Sequence, residues 1–282
     1  MASYGSIQTA TLDPGETAIV ITKPTSLAAG DLMVAVLAVT GTGSYTASGW
    51  SELAARTITD FNYRMTILVK VADSGDAAAT NFTFDVPASG DSKVGALLRV
   101  TGTAFSGLSN CTADTDRVAS DNTPTYAGGV TPLASTSLLI MGCFSGGVGT
   151  SSDYAIANNN PSWTERADIN VNDAEDISLS VATADYAFAS STGDYSLSIT
   201  DGTETGGYII AISDTANVSV TLTPLILNGT VNDVTPSAGV SVTLNPLTLN
   251  STLPSVTVDS EDNPWTNQDE SADDTWIDQP KS

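Results

Sequence analysis

Short stretches rich in β-branched and aromatic residues recur along the chain, alternating with polar residues or running nearly unbroken. TAIVITKP, DLMVAVLAV, YRMTILVKVA, NFTFDV and VGALLRVTG follow one another as far as Gly102. SLLIMGCF, DISLSVATADY, DYSLSIT and GYIIAIS follow between Ser137 and Ser213. Patterns of this length and composition predict β-strands. The segments between them (GTGSYTASG, ADSGDAAAT, PASGDS, CFSGGVGTSS and ANNNPS) are made of turn-forming residues. SELAAR, from Ser51, imitates a capped helix start but is short and lies between strands, so it reads as loop or strand. The expected architecture is all-β, a jelly-roll-like β-sandwich.

The order of these patterns repeats. An apolar strand from Leu32, the turn Gly49-Trp50-Ser51-Glu52, a strand from Met65 to Ala72, Asn81-Phe82-Thr83-Phe84 and a strand ending at Val100 form one series. An apolar strand from Leu138, then Ser162-Trp163-Thr164-Glu165-Arg166, a strand from Ile177 to Ala182, Tyr195-Ser196-Leu197-Ser198 and Gly207 to Ile212 form a second. Such a series predicts pseudo-twofold internal duplication within one sandwich over residues 1–214, with two tandem small sandwiches as the alternative. Trp50 and Trp163 then occupy equivalent positions and fill the core, exposed stacking surfaces being the other reading.

Beyond Ser213 the texture changes. VSVTLTPLILNGTVNDVT from Val218 returns as VSVTLNPLTLNSTLPSVT from Val240, about 22 residues later and about two-thirds identical. Pro224 and Pro246 interrupt each unit and mark a kink, edge or corner between short strands. Two copies give one chain too little area to bury, which several chains winding together would supply. A trimeric β stalk over residues 215–258 is therefore expected. The final segment, 259–282, is acidic and poor in aliphatics, a composition that stays disordered when free. It carries its own repeat: Trp265-Thr266-Asn267-Gln268 returns as Trp276-Ile277-Asp278-Gln279. Trp265, Gln268, Trp276 and Gln279, with Pro224 and Pro246, are the candidate attachment and oligomerisation residues.

Charge narrows the function classes. The chain has 9 basic and 32 acidic residues and no histidine, a net charge of −23. Phosphate neutralisation needs clustered Lys and Arg, so no nucleic-acid partner is expected. Without histidine, Ser-His-Asp and Cys-His arrangements are impossible. No phosphate-binding loop, dinucleotide fingerprint or zinc spacing occurs, so the chain reads as a non-enzyme. Carboxylate pairs drawn from Asp73, Asp76, Asp168 and Glu175 keep a polysaccharide hydrolase as a minor reading. Asp168, Asn170, Asn172 and Asp173 begin like a calcium loop, but the sixth position is Asp173 rather than Gly and the twelfth is Leu179 rather than Glu. No cofactor is expected. A calcium ion held here, or more weakly by Asp259, Glu261 and Asp262, is the option left open. Cys111 and Cys143 are too far apart for a CxxC motif, and Cys143 lies in an apolar run that suits a buried thiol. No apolar run approaches the ~18–20 residues that span a bilayer, and the N-terminus lacks the pattern of a secretory signal. No membrane insertion and cytoplasmic synthesis are expected.

The succession Gly30-Asp31-Leu32-Met33-Val34-Ala35, Ser48-Gly49-Trp50-Ser51-Glu52-Leu53, Lys70-Val71-Ala72 and Phe82-Thr83-Phe84 resembles a β-sandwich family found in tailed-bacteriophage structural proteins and some bacterial surface proteins. Trp163-Thr164-Glu165-Arg166 and Tyr208-Ile209-Ile210-Ala211-Ile212 match that pattern's second half. The Thr/Pro/Leu repeat and the Trp-Thr-Asn-Gln tail, ending in Lys281-Ser282, resemble C-terminal segments of phage virion proteins, although this tail is far more acidic. The resemblance implies a virion location, assembly in a host cytoplasm, other virion proteins as partners, and a role as tail fibre, tail-tip or capsid-surface appendage. A carbohydrate- or receptor-binding module for host adsorption is the alternative, with Tyr45, Tyr63, Tyr126 or Tyr154 stacking on a host-surface glycan.

Overall fold

The computed structural model describes residues 1–214 apart from 13–14, 60–61, 87–91, 103–104, 119–120, 148, 173–175 and 201–204. The expected stalk and tail, with Pro224, Pro246, Trp265, Gln268, Trp276 and Gln279, lie outside the described residues. So do Asp259, Glu261, Asp262 and Glu175.

The first half contributes β1 (Ser3–Leu12), β2 (Ala18–Thr22), β3 (Leu32–Thr40), β4 (Ser51–Ile58), β5 (Tyr63–Val71), β6 (Asn81–Asp85) and β7 (Lys93–Thr101). The second contributes β8 (Cys111–Val118), β9 (Thr125–Tyr126), β10 (Ser137–Ser145), β11 (Ser151–Ile156), β12 (Thr164–Val171), β13 (Ile177–Tyr186), β14 (Tyr195–Ile199) and β15 (Thr205–Ser213). Their pairings are antiparallel throughout. SELAAR lies in β4.

The duplication is visible strand for strand. One five-stranded sheet has the order β1-β7-β3-β5-β4, and the other β12-β13-β10-β15-β8, which is the same order once β8 is matched to β1 and β15 to β7. Register agrees as well: Leu32 lies opposite Val71 and Val100, and Leu138 lies opposite Asp185 and Ile212. Even the irregularity recurs. β4 slips on β5 between Glu52 and Ala54, leaving Leu53 bulged, and β12 slips on β13 between Glu165 and Ala167, leaving Arg166 bulged. Each half also carries a small outer sheet, β2-β6 in the first and β11-β14-β9 in the second. The isolated bridge of Thr46 to Asp85 in β6 corresponds to the β11–β14 pairing.

Alternation within the large sheets explains the layering. In β3, Leu32, Val34, Val36 and Ala38 join a central core with Leu138, Ile140 and Phe144 of β10 and Tyr208, Ile210 and Ile212 of β15. The intervening Met33, Ala35, Leu37 and Val39 pack outward against Ile19 and Ile21 of β2 and Phe82 and Phe84 of β6. In the second half Leu139, Met141 and Cys143 pack outward against Tyr154, Tyr195, Leu197 and Ile199. Both faces of each large sheet are covered, which is why β3, β10 and β15 are buried at every position. At about 1.5–3 kcal/mol for each fully buried large apolar side chain, this double burial dominates stability.

The sandwich expectation is met, in four layers rather than two. Each half closes its own small sandwich, and the two share a central core. That joins the two readings the sequence left open. One element was read differently: ADSGDAAAT, taken as turn, contains the short helix α1 (Ser74–Ala78). Its start is fixed by reciprocal bonds, the Asp76 N–H donating to the Asp73 carboxylate at 2.8 Å and the Asp73 N–H donating to the Asp76 carboxylate at 2.9 Å.

Candidate functional site

The strongest candidate lies where the two halves meet. Edge strand β1 of one large sheet packs beside edge strand β12 of the other. Ser3 and Tyr4 of β1, Thr164 and Arg166 of β12, and Thr183 and Asp185 of β13 line a polar cleft of about 230 Å³. Arg166 reaches it because of the bulge. Ala167 packs toward the central core, whereas the slipped register turns Arg166 over the Tyr4 ring, its guanidinium carbon 3.9 Å from the ring centroid. Arg166 Nε donates to Thr183 Oγ1 at 2.7 Å. Ring and hydroxyl together fix the guanidinium plane, and the terminal Nη nitrogens carry the remaining donors. Among the described residues no carboxylate forms an ion pair with Arg166, although the chain has 32 acidic residues.

A second polar cluster lies on the outer face of the same strand. Asp168 accepts the Ser151 N–H at 3.0 Å, tying β11 to β12. Burial, with the Glu165 carboxylate beside it, pushes the Asp168 carboxyl up to about 6. Behind it the Cys143 thiol lies 3.6 Å from the hydroxyls of both Ser151 and Ser180. Burial pushes that thiol up to about 11, so it stays protonated and unreactive at neutral pH. Cys111 is pushed up to about 12 for the same reason. Both cysteines are free and buried.

The other sequence candidates take structural positions. Asp73 caps α1, its carboxyl held below the usual range by the Asp76 backbone N–H. Asp76 pairs with Lys70 at 2.7 Å. Asp168 and Asn170, the start of the calcium-loop pattern, lie within β12. The rest of that pattern, residues 173–175, lies outside the described residues. Among the described residues no group of three or more acidic or Cys ligands could hold a metal.

The tyrosines offered as sugar platforms are mostly unavailable. Tyr45, Tyr126 and Tyr154 are buried at 1%, 0% and 8% exposure, and only Tyr63 keeps part of its ring at the surface. Tyr126 in β9 and Tyr154 in β11 pack into the outer core of the second half, and Tyr45, in the loop before β4, packs into that of the first. Trp50 and Trp163 do occupy equivalent positions, each half-buried against its own outer core. Gly49, at φ 80°, makes the turn that delivers Trp50 edge-on to Phe82 and Phe84. Trp163 donates its Nε1–H to Asn160 Oδ1 at 3.0 Å. The Arg166 cleft escaped the sequence reading, because a bulge is a property of register and β1 follows no strong alternation.

No family model, curated protein or solved structure matches the chain. Among the described residues no helix is long and apolar enough to cross a membrane.

Proposed function

We propose that the chain is a structural component of a tailed-phage virion, a tail-fibre, tail-tip or capsid-surface appendage protein, assembling as a homo-oligomer through residues 215–282. The observation that supports this reading is a division of labour along the sequence. Through residue 214 the body covers both faces of its large sheets with its own side chains. The two-copy Val/Thr/Leu repeat that follows is too short to bury its own apolar positions, so chains winding together supply the missing area. The paired Trp265 and Trp276 segments, costly to leave in water, then act as anchors on neighbouring virion proteins.

Size-exclusion chromatography with light scattering tests this. The full chain is expected to run as a trimer and residues 1–214 as a monomer. A monomeric full chain removes the assembly role. Electron microscopy of particles carrying a label on this protein then locates it on tail or capsid, and its absence from particles removes the virion assignment.

A further inference from the structure

We propose that the Arg166 cleft binds a carboxylated sugar, the uronic-acid unit of an anionic polysaccharide. This inference is independent of how the chain assembles. It starts from where the duplication breaks. The equivalent bulged residue in the first half is Leu53, which packs against the central core. At the same place in the second half stands an arginine whose guanidinium lines a cleft and, among the described residues, forms no ion pair. Where the first half has a core-covering residue, the second has a charged one. Its planar fork suits a carboxylate, which it can grip through two parallel hydrogen bonds.

The rest of the lining selects the ligand that carries the carboxylate. Ser3, Ser162 and Thr164 offer hydroxyls that both donate and accept, as sugar hydroxyls require. Asp185, exposed on the rim, accepts hydrogen bonds from sugar hydroxyls but repels a bare dianion such as phosphate. At about 230 Å³ the cleft is below the range of drug-sized pockets and suits a single ring. The net charge of −23 opposes any anion at long range, but at physiological salt that repulsion is screened beyond ~8 Å. Affinity is accordingly weak, with Kd of about 1 mM for a short oligomer and avidity in an assembled particle.

The test titrates the full chain with tri-galacturonate, a neutral trisaccharide and inorganic phosphate, followed by ligand-observed NMR. Saturable binding of the uronate, at least about tenfold weaker for the neutral sugar and for phosphate, is expected. Arg166→Leu, which installs the first half's residue, is expected to weaken uronate binding at least about tenfold with an unchanged melting temperature. Arg166→Lys keeps the charge but not the fork, and is expected to fall between. Chemical-shift mapping on the unmodified chain needs no variant, and shifts centred on Ser3, Thr164 and Asp185 are expected. The proposal is overturned by equal binding in Arg166→Leu, by phosphate binding as tightly as the uronate, by shifts centred elsewhere, or by no saturable binding.

Discussion

Tyr208 fits inside the central core because its cross-strand partner, Gly142, has no side chain. The Tyr208 hydroxyl donates to the Ser180 carbonyl at 2.7 Å. A Cβ on Gly142 would stand 1.9 Å from that carbonyl oxygen and 2.6 Å from the hydroxyl. In the first half the same pair of positions is Val36 and Ala96. One large and one absent side chain thus replace two of moderate size.

Gly142→Ala is therefore expected to destabilise the fold by about 3 kcal/mol or more, as overpacking against backbone does. Tyr208→Ala is expected to cost about 3–5 kcal/mol through the cavity and the lost hydrogen bond. Joining Gly142→Val with Tyr208→Ala recreates the first half's pair, and is expected to cost less than the two single changes summed. Urea unfolding of the three variants and the double variant measures this.

Asp168 makes stability respond to pH. An aspartate titrates at 3.8 in the unfolded chain and this one at about 6 in the fold, so the folded state holds the proton more tightly. Its stabilising contribution is complete below pH 3.8 and is lost as pH rises through about 6. The carboxyl keeps contact with water, and screening leaves about 1 kcal/mol of effect. Asp168→Asn keeps an acceptor for the Ser151 N–H, and is expected to reduce the gain in melting temperature between pH 7 and pH 5. Thermal melts of both proteins across that range check the difference.

The two thiols are expected to be silent in the folded protein. Both are buried, with Cys111 pushed up to about 12 and Cys143 up to about 11. A chromogenic disulfide reagent at pH 8 is expected to titrate neither in the native chain and both in guanidinium. A fast-reacting native thiol contradicts the burial.

Trp50 meets Phe82 and Phe84 edge-on at 6.1 Å and 5.1 Å between centroids. Since it is half-buried, Trp50→Ala is expected to cost about 2 kcal/mol, less than truncation of a fully buried aromatic. Its equivalent Trp163, tilted against Tyr154 at 6.5 Å, has fewer aromatic neighbours, and Trp163→Ala is expected to cost less than Trp50→Ala. Chemical unfolding of both variants gives the order.

What the sequence made legible follows burial. The strands visible as patterns include the interiors of both large sheets, β7-β3-β5 and β13-β10-β15. Those missed or left ambiguous include every large-sheet edge, β1, β4, β8 and β12. An edge strand is only half-covered, so TERADINV and CTADTDRV need not alternate cleanly. The Arg166 cleft is built from two such edges, and that explains why composition and spacing gave no sign of it. The Trp50 and Trp163 correspondence was legible because both follow turns at the same point of a repeated order. The depth of the tyrosines was not, since Tyr45, Tyr126 and Tyr154 lie in turn-rich or unpatterned stretches whose composition gives no sign of burial.

The matched strand orders have a consequence for descent. One half alone would present Leu32, Val34, Ile67 and Leu98, or Leu138, Ile140, Leu179 and Ile210, as a bare apolar sheet. An ancestral polypeptide of that length would have needed a second copy of itself to fold, and its survival would have depended on concentration. Carrying both halves in one chain removes that dependence, because the covalent link makes the encounter intramolecular. Within one chain the two halves need not be identical, and at the same bulge one carries Leu53 and the other Arg166.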